Sequence, residues 1–481
     1  MPSKPPSNLR WNGDVTIGQT ASPRQQRTRV RPAALAEKAK ESLFQIVVVL
    51  GLTAPSLTNG PLTWLPFVRL STIEDAPVRL GPLALLPPLA LLAWALARIT
   101  APPRRRWRWG RLHVTLPLLG LTTLTLLGLE PTASRRTAVT ALSLGLIWWV
   151  YLYVVNETPD LSIPLALVIL IQSGIAVGQF ALQKDLGLQA LGELALDPEQ
   201  SGTCVLFARE QRWLRAYGLS GHPNVLGALL SVLLLLSIDD IAQARGRRRI
   251  CFTLVGSAGI LGLLTTFSRS AWLAFGVGLL CWLTRKMIAS RQSPRRPEKP
   301  FLHRLRRTLR RSAQFAVPAI LAILFLLCFH DLVASRFLHL ETPIEARSIQ
   351  DRRTDAELAL LLIRRYPWFG VGVRNYLPAV RAIEPDSRTV HNVSLLVAAE
   401  LGLSGAALWL WLALSGLAQP WSRAWPPWVA MLISNLFDIA LLPTNGWYAA
   451  LAFGLLAAYS SLPLGAAAAS QPMFHARLRD D

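Results

Sequence analysis

The stretch Ala216-Tyr-Gly-Leu-Ser-Gly-His-Pro-Asn-Val-Leu-Gly-Ala-Leu-Leu-Ser-Val-Leu-Leu-Leu-Leu-Ser-Ile238 carries no charged side chain from end to end. A helix needs about 20 apolar residues to cross the hydrocarbon core of a bilayer, so this stretch reads as a membrane span. It is not alone. Stretches free of charge, or nearly so, lie at 42–68, 80–97, 112–129, 137–156, 161–183, 250–268, 270–284, 312–330, 389–422 (broken only by Glu400) and 424–476 (broken only by Asp438). The last is too long for one crossing, and the turn cluster Pro443-Thr444-Asn445-Gly446 divides it. The expectation is an all-α polytopic membrane protein with about twelve transmembrane helices.

Composition points the same way. Of 481 residues, 52% are apolar and only 16% charged, with a mean hydropathy of +0.36. Soluble domains carry roughly 25% charged residues, so there is too little polar surface here to cover two or three of them. The net charge of +22 first suggests nucleic acid. The positions of the basic residues argue against it. With the N-terminus inside, the whole excess falls on cytoplasmic segments, which is the asymmetry that orients membrane proteins and draws them to anionic lipid headgroups. Both termini are then cytoplasmic. Residues 1–41 read as a disordered basic tail without the early apolar run of a cleavable signal. Residues 42–463 form the membrane domain, placed in the cytoplasmic (inner) membrane, and 464–481 a second cytoplasmic tail. A basic loop at about 285–311 lies inside. Two long loops, at about 184–221 and 331–388, lie outside. Membrane lipids are expected partners and nucleic acid is not.

Four cysteines are present; Cys251, Cys281 and Cys328 fall in spans and Cys204 alone outside, so no intramolecular disulfide is expected. No CxxC, HExxH or phosphate-binding glycine loop appears, so no metal site, cofactor or direct use of ATP is expected.

Polar chemistry gathers where three spans begin at the outer face. One opens Arg215-Ala-Tyr-Gly-Leu-Ser-Gly-His222-Pro-Asn224, with Pro223 suited to a first helical turn. The next opens Thr265-Thr-Phe-Ser-Arg269-Ser-Ala271, where a guanidinium sits between apolar stretches and is costly unless paired or facing water. The third opens His391-Asn392 and runs through Glu400 to Gly402 and Gly405. Each alone also reads as ordinary capping or interfacial anchoring. Glu400 and Asp438 are intramembrane acids, open to a functional role or to structural pairing with another helix. Taken together, helix N-termini and two arginines suit a phosphate, and a histidine suits proton transfer from a hydroxyl. That combination fits a lipid-linked phosphate donor and a hydroxyl acceptor.

His391-Asn392, nine residues, Gly402, two residues and Gly405 resembles, at every specified position, a pattern of the bacterial O-antigen ligases: His, then Asn, Ser or Gln, nine residues, Gly, two residues, then Gly, Thr or Tyr. Arg215, Gly218, His222-Pro-Asn224 and Gly227 resemble that family's segment from outer loop to helix. Thr266-Phe-Ser-Arg-Ser-Ala271 resembles its Ser-Arg-Gly/Ala turn, with Ser270 inserted. Pro367, Gly370, Gly372 and Asn375-Tyr376 resemble its Gly-rich loop, and Leu436-Phe-Asp438 also fits.

The resemblance implies a membrane glycosyltransferase that moves a glycan from an undecaprenyl-diphosphate carrier to an acceptor at the outer face, with no metal or nucleotide. It implies His391 as base and Arg215 and Arg269 as diphosphate clamps, with Arg352, Arg353 and Arg374 as further candidates and His222, Asn224, Asn392, Glu400 and Asp438 in support. A base opposite the leaving group implies inversion. The acceptor is a glycolipid, a polysaccharide or a protein, since O-antigen polymerases and protein O-oligosaccharyltransferases share the superfamily, as do proteins regarded as inorganic-carbon transporters. A transporter and a non-catalytic scaffold are the competing readings.

Overall fold

The computed structural model describes residues 32–53, 86–100, 106–129, 134–208, 210–292, 301–337, 343–444 and 446–462. Five helices come first: α1 (Pro32–Thr53), α2 (Leu86–Thr100), α3 (Leu112–Leu127), α4 (Ser134–Glu157) and α5 (Ser162–Leu182). An antiparallel hairpin of β1 (Val205–Ala208) and β2 (Gln211–Leu214) follows. Then come α6 (Pro223–Gln243), α7 (Arg247–Thr265), α8 (Arg269–Gln292), α9 (Phe301–Cys328), α10 (His330–Phe337), α11 (Pro343–Arg365), α12 (Tyr376–Arg381), α13 (Val393–Leu417), α14 (Trp425–Phe437) and α15 (Trp447–Ser461).

Each charge-free stretch contains all or part of a helix, and among the described residues fewer of these helices than the expected twelve reach spanning length. Among the described residues six helices are long and apolar enough to cross a membrane: α4 to α8 and α13. A seventh results if Gln314–Cys328 of α9 and the adjoining α10, bent by 79°, count as one span. α14 has 13 residues and α15 has 15. At 1.5 Å per residue they reach only about 20 and 23 Å, short of a hydrocarbon core of about 30 Å. A charge-free run records what the bilayer tolerates. It does not record where a glycine, a proline or a capping group ends the helix within it. α1 starts at Pro32, inside the stretch read as a tail. The rest of that tail, 54–68 of the first expected span, 293–300 of the basic loop and the C-terminal tail lie outside the described residues.

α6 sits at the centre, packed by α5, α7, α8 and α14 and apolar on all sides. A helix apolar all round has no solvent face to offer, which suits this position. Its approach to α8 depends on a small residue. A Cβ on Gly227 would lie 2.8 Å from the Ala271 Cβ. Ser231 Oγ bridges the same seam, donating to the Ala271 carbonyl at 2.9 Å. Small residues and a buried hydroxyl of this kind hold helices together where lipid offers no hydrophobic drive.

The two ends of α6 are fixed by polar groups. At the C-terminal end Asp239 accepts from Trp282 Nε1 at 2.9 Å, pairs with Lys286 at 2.8 Å and also binds Arg285. Arg423, just before α14, binds Asp240 and the Leu236 carbonyl. These contacts tie α6, α8 and α14 together at one level.

α13 is broken. Gly402 has φ +69°, and the helix changes direction there. The carbonyls freed at the break are taken by the loop after α11: Val371 N donates to Ala399 O at 3.0 Å and Gly372 N to Glu400 O at 2.9 Å, while Leu403 N donates to Pro367 O at 2.7 Å. Buried backbone groups left by a broken helix need such partners. The spaced glycines of the two sequence motifs are therefore the two halves of one joint.

Candidate functional site

A cavity of about 590 Å³ opens at the N-terminal end of α6. Its wall draws on the hairpin, the starts of α6 and α8, α10, α11, His391 and the segment after α14.

The wall is built from α5 outward. Gln179 and Gln172 are fully buried on one face of α5. Gln179 Oε1 accepts from Tyr217 N at 3.0 Å and Gly218 N at 2.8 Å, and its Nε2 donates to Gly218 O at 2.9 Å and Glu193 Oε1 at 2.8 Å. Gln172 Oε1 accepts from Leu219 N at 2.9 Å. Gly218, at φ +58°, makes this close approach possible, since a Cβ there would lie 2.5 Å from Gln172 Oε1. The clamped segment carries Arg215. Replacing Gln179 with leucine strands two N–H groups and a carbonyl of that segment in the interior. At about 1–3 kcal/mol for each buried group, the variant should lose about 3 kcal/mol or more. Thermal unfolding in detergent, compared with an exposed substitution on the same helix, checks this.

Arg215 is buried and fully oriented. Its Nε donates to the Thr266 carbonyl at 2.8 Å and its Nη2 to Asn224 Oδ1 at 2.7 Å. Asn224 Nδ2 in turn donates to Asp438 Oδ2 at 2.8 Å. The relay joins the hairpin, the α7–α8 turn, the start of α6 and the end of α14. In the α7–α8 turn the buried Phe267 adopts φ +47°, a conformation unusual for a bulky side chain. The turn sets Arg269 at the first position of α8, where its Nη1 donates to the Arg336 carbonyl at 2.9 Å.

His391 precedes the cap of α13. Asn392 is that cap: its Oδ1 accepts from Leu395 N at 3.0 Å, and its Nδ2 donates to Leu436 O at 3.1 Å, tying α13 to α14. His391 Nδ1 lies 3.4 Å from Asp355 Oδ2, close enough for an ion pair when the ring is protonated. Asp355 is 5% exposed and His391 35%. Burial raises the Asp355 carboxyl above the ordinary aspartate range, against the opposing pull of His391. Tyr376 fixes this turn of α11 by donating from its hydroxyl to the Asp355 carbonyl at 3.0 Å. The imidazole thus has one nitrogen at a buried carboxylate and the other left for a substrate, an arrangement that suits a general base.

Other expected residues fall elsewhere. Arg353 leaves the cavity and pairs with Glu357 at 3.1 Å on an exposed face; its neighbour Arg352 lines the cavity instead. Helical phase decides this, since adjacent residues point about 100° apart. Arg374 binds the Thr444 carbonyl and does not reach the lining. Glu400 accepts backbone hydrogen bonds from Arg374 and Tyr376 and stays with the α13 joint, away from His391. His222 caps α6, its Nδ1 accepting from Asn224 N at 3.1 Å.

That cap has a second effect. With Nδ1 accepting, His222 Nε2 donates to Cys204 Sγ at 3.2 Å. Burial opposes ionisation of the thiol, but the His222 hydrogen bond and the nearby Arg215 charge outweigh it and bring the Cys204 pKa down to about 7. A maleimide should therefore label Cys204 with a rate that rises as pH passes through about 7. An unperturbed thiol would titrate near 8.5. Labelling of a Cys251→Ser, Cys281→Ser, Cys328→Ser background at graded pH checks it.

The residues that the sequence pattern did not single out are Asp355, Gln172, Gln179 and Arg336. Only the glutamines left a trace, as two amides seven residues apart on one face of an apolar helix.

Residues 252–410 match the family model described as O-antigen ligase. Over this segment, about a third of the chain, the sequence is similar to the O-antigen ligases. The matched segment contains Arg269, Asp355, His391, the Gly370–Gly372 loop and the Gly402 break. With its several apolar spans, the chain is a multi-pass membrane protein. No curated protein matches the chain.

Proposed function

We propose that the protein transfers a glycan from an undecaprenyl-diphosphate carrier to an acceptor hydroxyl at the outer face of the cytoplasmic membrane. The observation that carries this reading is one cavity lined by Arg215, Arg269 and His391, with Asp355 behind the histidine.

In this reading the diphosphate docks at Arg215 and Arg269, beside the N-termini of α6 and α8. Guanidinium groups and helix N-termini both favour phosphate, and their positive charge stabilises the negative charge that grows on the departing diphosphate. Asn224 and Asp438 orient Arg215. His391 takes the acceptor proton through Nε2, and Asp355 holds the ring with Nδ1–H inward. The acceptor oxygen bonds to the anomeric carbon as the bond to the carrier phosphate breaks. Attack from the side opposite the leaving group inverts the anomeric centre.

The test uses purified protein in liposomes with an undecaprenyl-diphosphate oligosaccharide. Glycolipid, polysaccharide and protein acceptors are offered separately. Acceptor-dependent release of carrier diphosphate supports the reading, and the acceptor that works distinguishes ligase, polymerase and protein glycosyltransferase. Absence of release with folded protein and every acceptor class overturns it. A product with retained anomeric configuration overturns the single-displacement geometry.

A further inference from the structure

Two aromatic side chains stand further out of the molecule than any other aromatic among the described residues. Trp368 is 69% exposed and Phe369 72%, on the segment that leads from α11 into the Gly370–Gly372 loop. This segment is not slack chain. Leu403 N donates to the Pro367 carbonyl at 2.7 Å, Ser404 Oγ to the Trp368 carbonyl at 2.7 Å and Gly370 N to the Tyr366 carbonyl at 3.1 Å. The backbone is fixed against the break in α13, and it holds both rings outward. A single exposed apolar side chain needs no explanation, but a fixed pair of large rings in a wider patch marks an interaction surface.

The patch continues onto neighbouring elements. Leu403, just past the break, and Leu127, at the end of α3, are exposed beside it. α3 abuts the same joint, since a Cβ on Gly372 would lie 2.9 Å from the Gly128 carbonyl oxygen. Arg364 and Arg365 precede the rings and are also exposed, with the Arg365 guanidinium 5.7 Å over the Tyr366 ring. The surface is thus apolar at its centre and basic at one edge.

α3 sets the level of this patch. Its far end is tied to the end of α13: Arg111 binds Gln419, and Ser415 Oγ donates to the His113 carbonyl at 2.7 Å. Gln419 lies just before Arg423, which meets the end of α6 remote from the cavity, so the patch belongs to the cavity end of the bundle. Between the two ends run the 16 residues of α3, about 24 Å at 1.5 Å per residue, with Leu116 and Leu119 turned outward. A hydrocarbon core is about 30 Å thick, so a patch at that height lies within reach of lipid, near the change from acyl chains to headgroups. Tryptophan gathers at this level, and basic side chains there meet anionic headgroups.

We propose that Trp368 and Phe369, with Arg364 and Arg365, form an interfacial anchor in the leaflet at the cavity end, the rings at the acyl boundary and the guanidiniums on headgroup phosphates. The partner is the bilayer surface. A second copy docked symmetrically on the patch would set its own Arg364 and Arg365 near these, which charge opposes. The anchor fixes the end of α11, the helix that carries Asp355, to the membrane.

The full-length chain with Cys204, Cys251, Cys281 and Cys328 changed to serine is spin-labelled at Trp368→Cys or Phe369→Cys and reconstituted in liposomes. Leu116→Cys on α3 is the lipid reference, and Asp386→Cys, in the exposed turn before α13, the aqueous one. Power saturation with oxygen and with a water-soluble nickel chelate gives the depth of each label. Both patch labels should lie about 5–10 Å into the boundary between headgroups and acyl chains, shallower than Leu116. In liposomes containing phosphatidylglycerol, Arg364→Gln and Arg365→Gln together should move them toward water, and less so in phosphatidylcholine alone. Nickel access equal to that at Asp386 overturns the anchor. Labels screened from both reagents, with spin–spin broadening that unlabelled protein dilutes away, assign the patch to a second copy and also overturn it. An unchanged depth in the double variant overturns the anionic headgroup as partner. Both labelled side chains point outward, so if one variant fails to accumulate the other still reports. No substrate enters the measurement, so its result is independent of the transfer reaction.

Discussion

Replacing His391 with alanine is expected to slow glycan transfer about 10²–10⁴-fold, the usual worth of a positioned general base, with the protein still folded and inserted. His391 is partly exposed at the cavity wall, and the α13 cap belongs to Asn392, so truncation of the ring removes little packing. Asp355→Asn should give a smaller loss than His391→Ala, because the ring survives but its orientation and charge partner do not. The two losses should not add, since both act through one nitrogen. Burial raises the Asp355 carboxyl, and its ionised form is the useful one. Activity should therefore fall as pH drops through that raised value, at higher pH than an ordinary aspartate would set. In Asp355→Asn this contribution to the acid limb should vanish. Initial rates of carrier diphosphate release across pH, for the wild type and both variants, test the set. A wild-type rate in His391→Ala would sink the mechanism.

The second large effect is on the fold. Gly402→Ala places a Cβ 2.3 Å from the carbonyl carbon and oxygen of Trp368, at a φ of +69° that already strains any L-residue. Neither backbone can yield without breaking the hydrogen bonds that close the α13 joint. Gly370→Ala meets the same joint from the other side, 2.4 Å from the Glu400 carbonyl carbon. Both variants should fail to accumulate or should unfold at much lower temperature, with losses above about 4 kcal/mol. Gly276→Ala is the control. It lies mid-helix in α8 with open space around the added Cβ, so it should be neutral or gain up to about 1 kcal/mol. Membrane-fraction yield and fluorescence size-exclusion thermal stability separate these outcomes.

The sequence carried those parts of the site that depend on local rules. His222-Pro223 and Asn392 announce helix starts, Arg269 stands out in an apolar context, and Gly402 and Gly370 mark special backbone. Parts set by tertiary packing were not legible. Asp355 lies within α11 in no recognisable motif, and only the seating of α11 against α13 turns it toward His391. The choice between Arg352 and Arg353 needs the rotation of α11, which neighbouring elements fix. Gln172 and Gln179 lie in a span without a recognised motif, and their role depends on a segment some 40 residues later in the chain. Hydropathy is also blind to caps, so a charge-free run does not fix helix length: Asp438 ends α14 after 13 residues.

The polar clasps at the two ends of α6 have a bearing on the bilayer itself. Asn224 meets Asp438 at one end, and Asp240 meets Arg423 at the other. Asp240 follows Asn224 by sixteen residue steps along the helix, about 24 Å at 1.5 Å per residue. The apolar layer between the clasps of this central helix is thus some 6 Å shorter than an average hydrocarbon core is thick. In the proposed reading the arginine-lined basin then sits below the plane of the headgroups. A polyprenyl donor could present its diphosphate without drawing its tail out of the membrane. Acyl-chain length then becomes a variable of catalysis, with shorter-chain lipids expected to favour turnover.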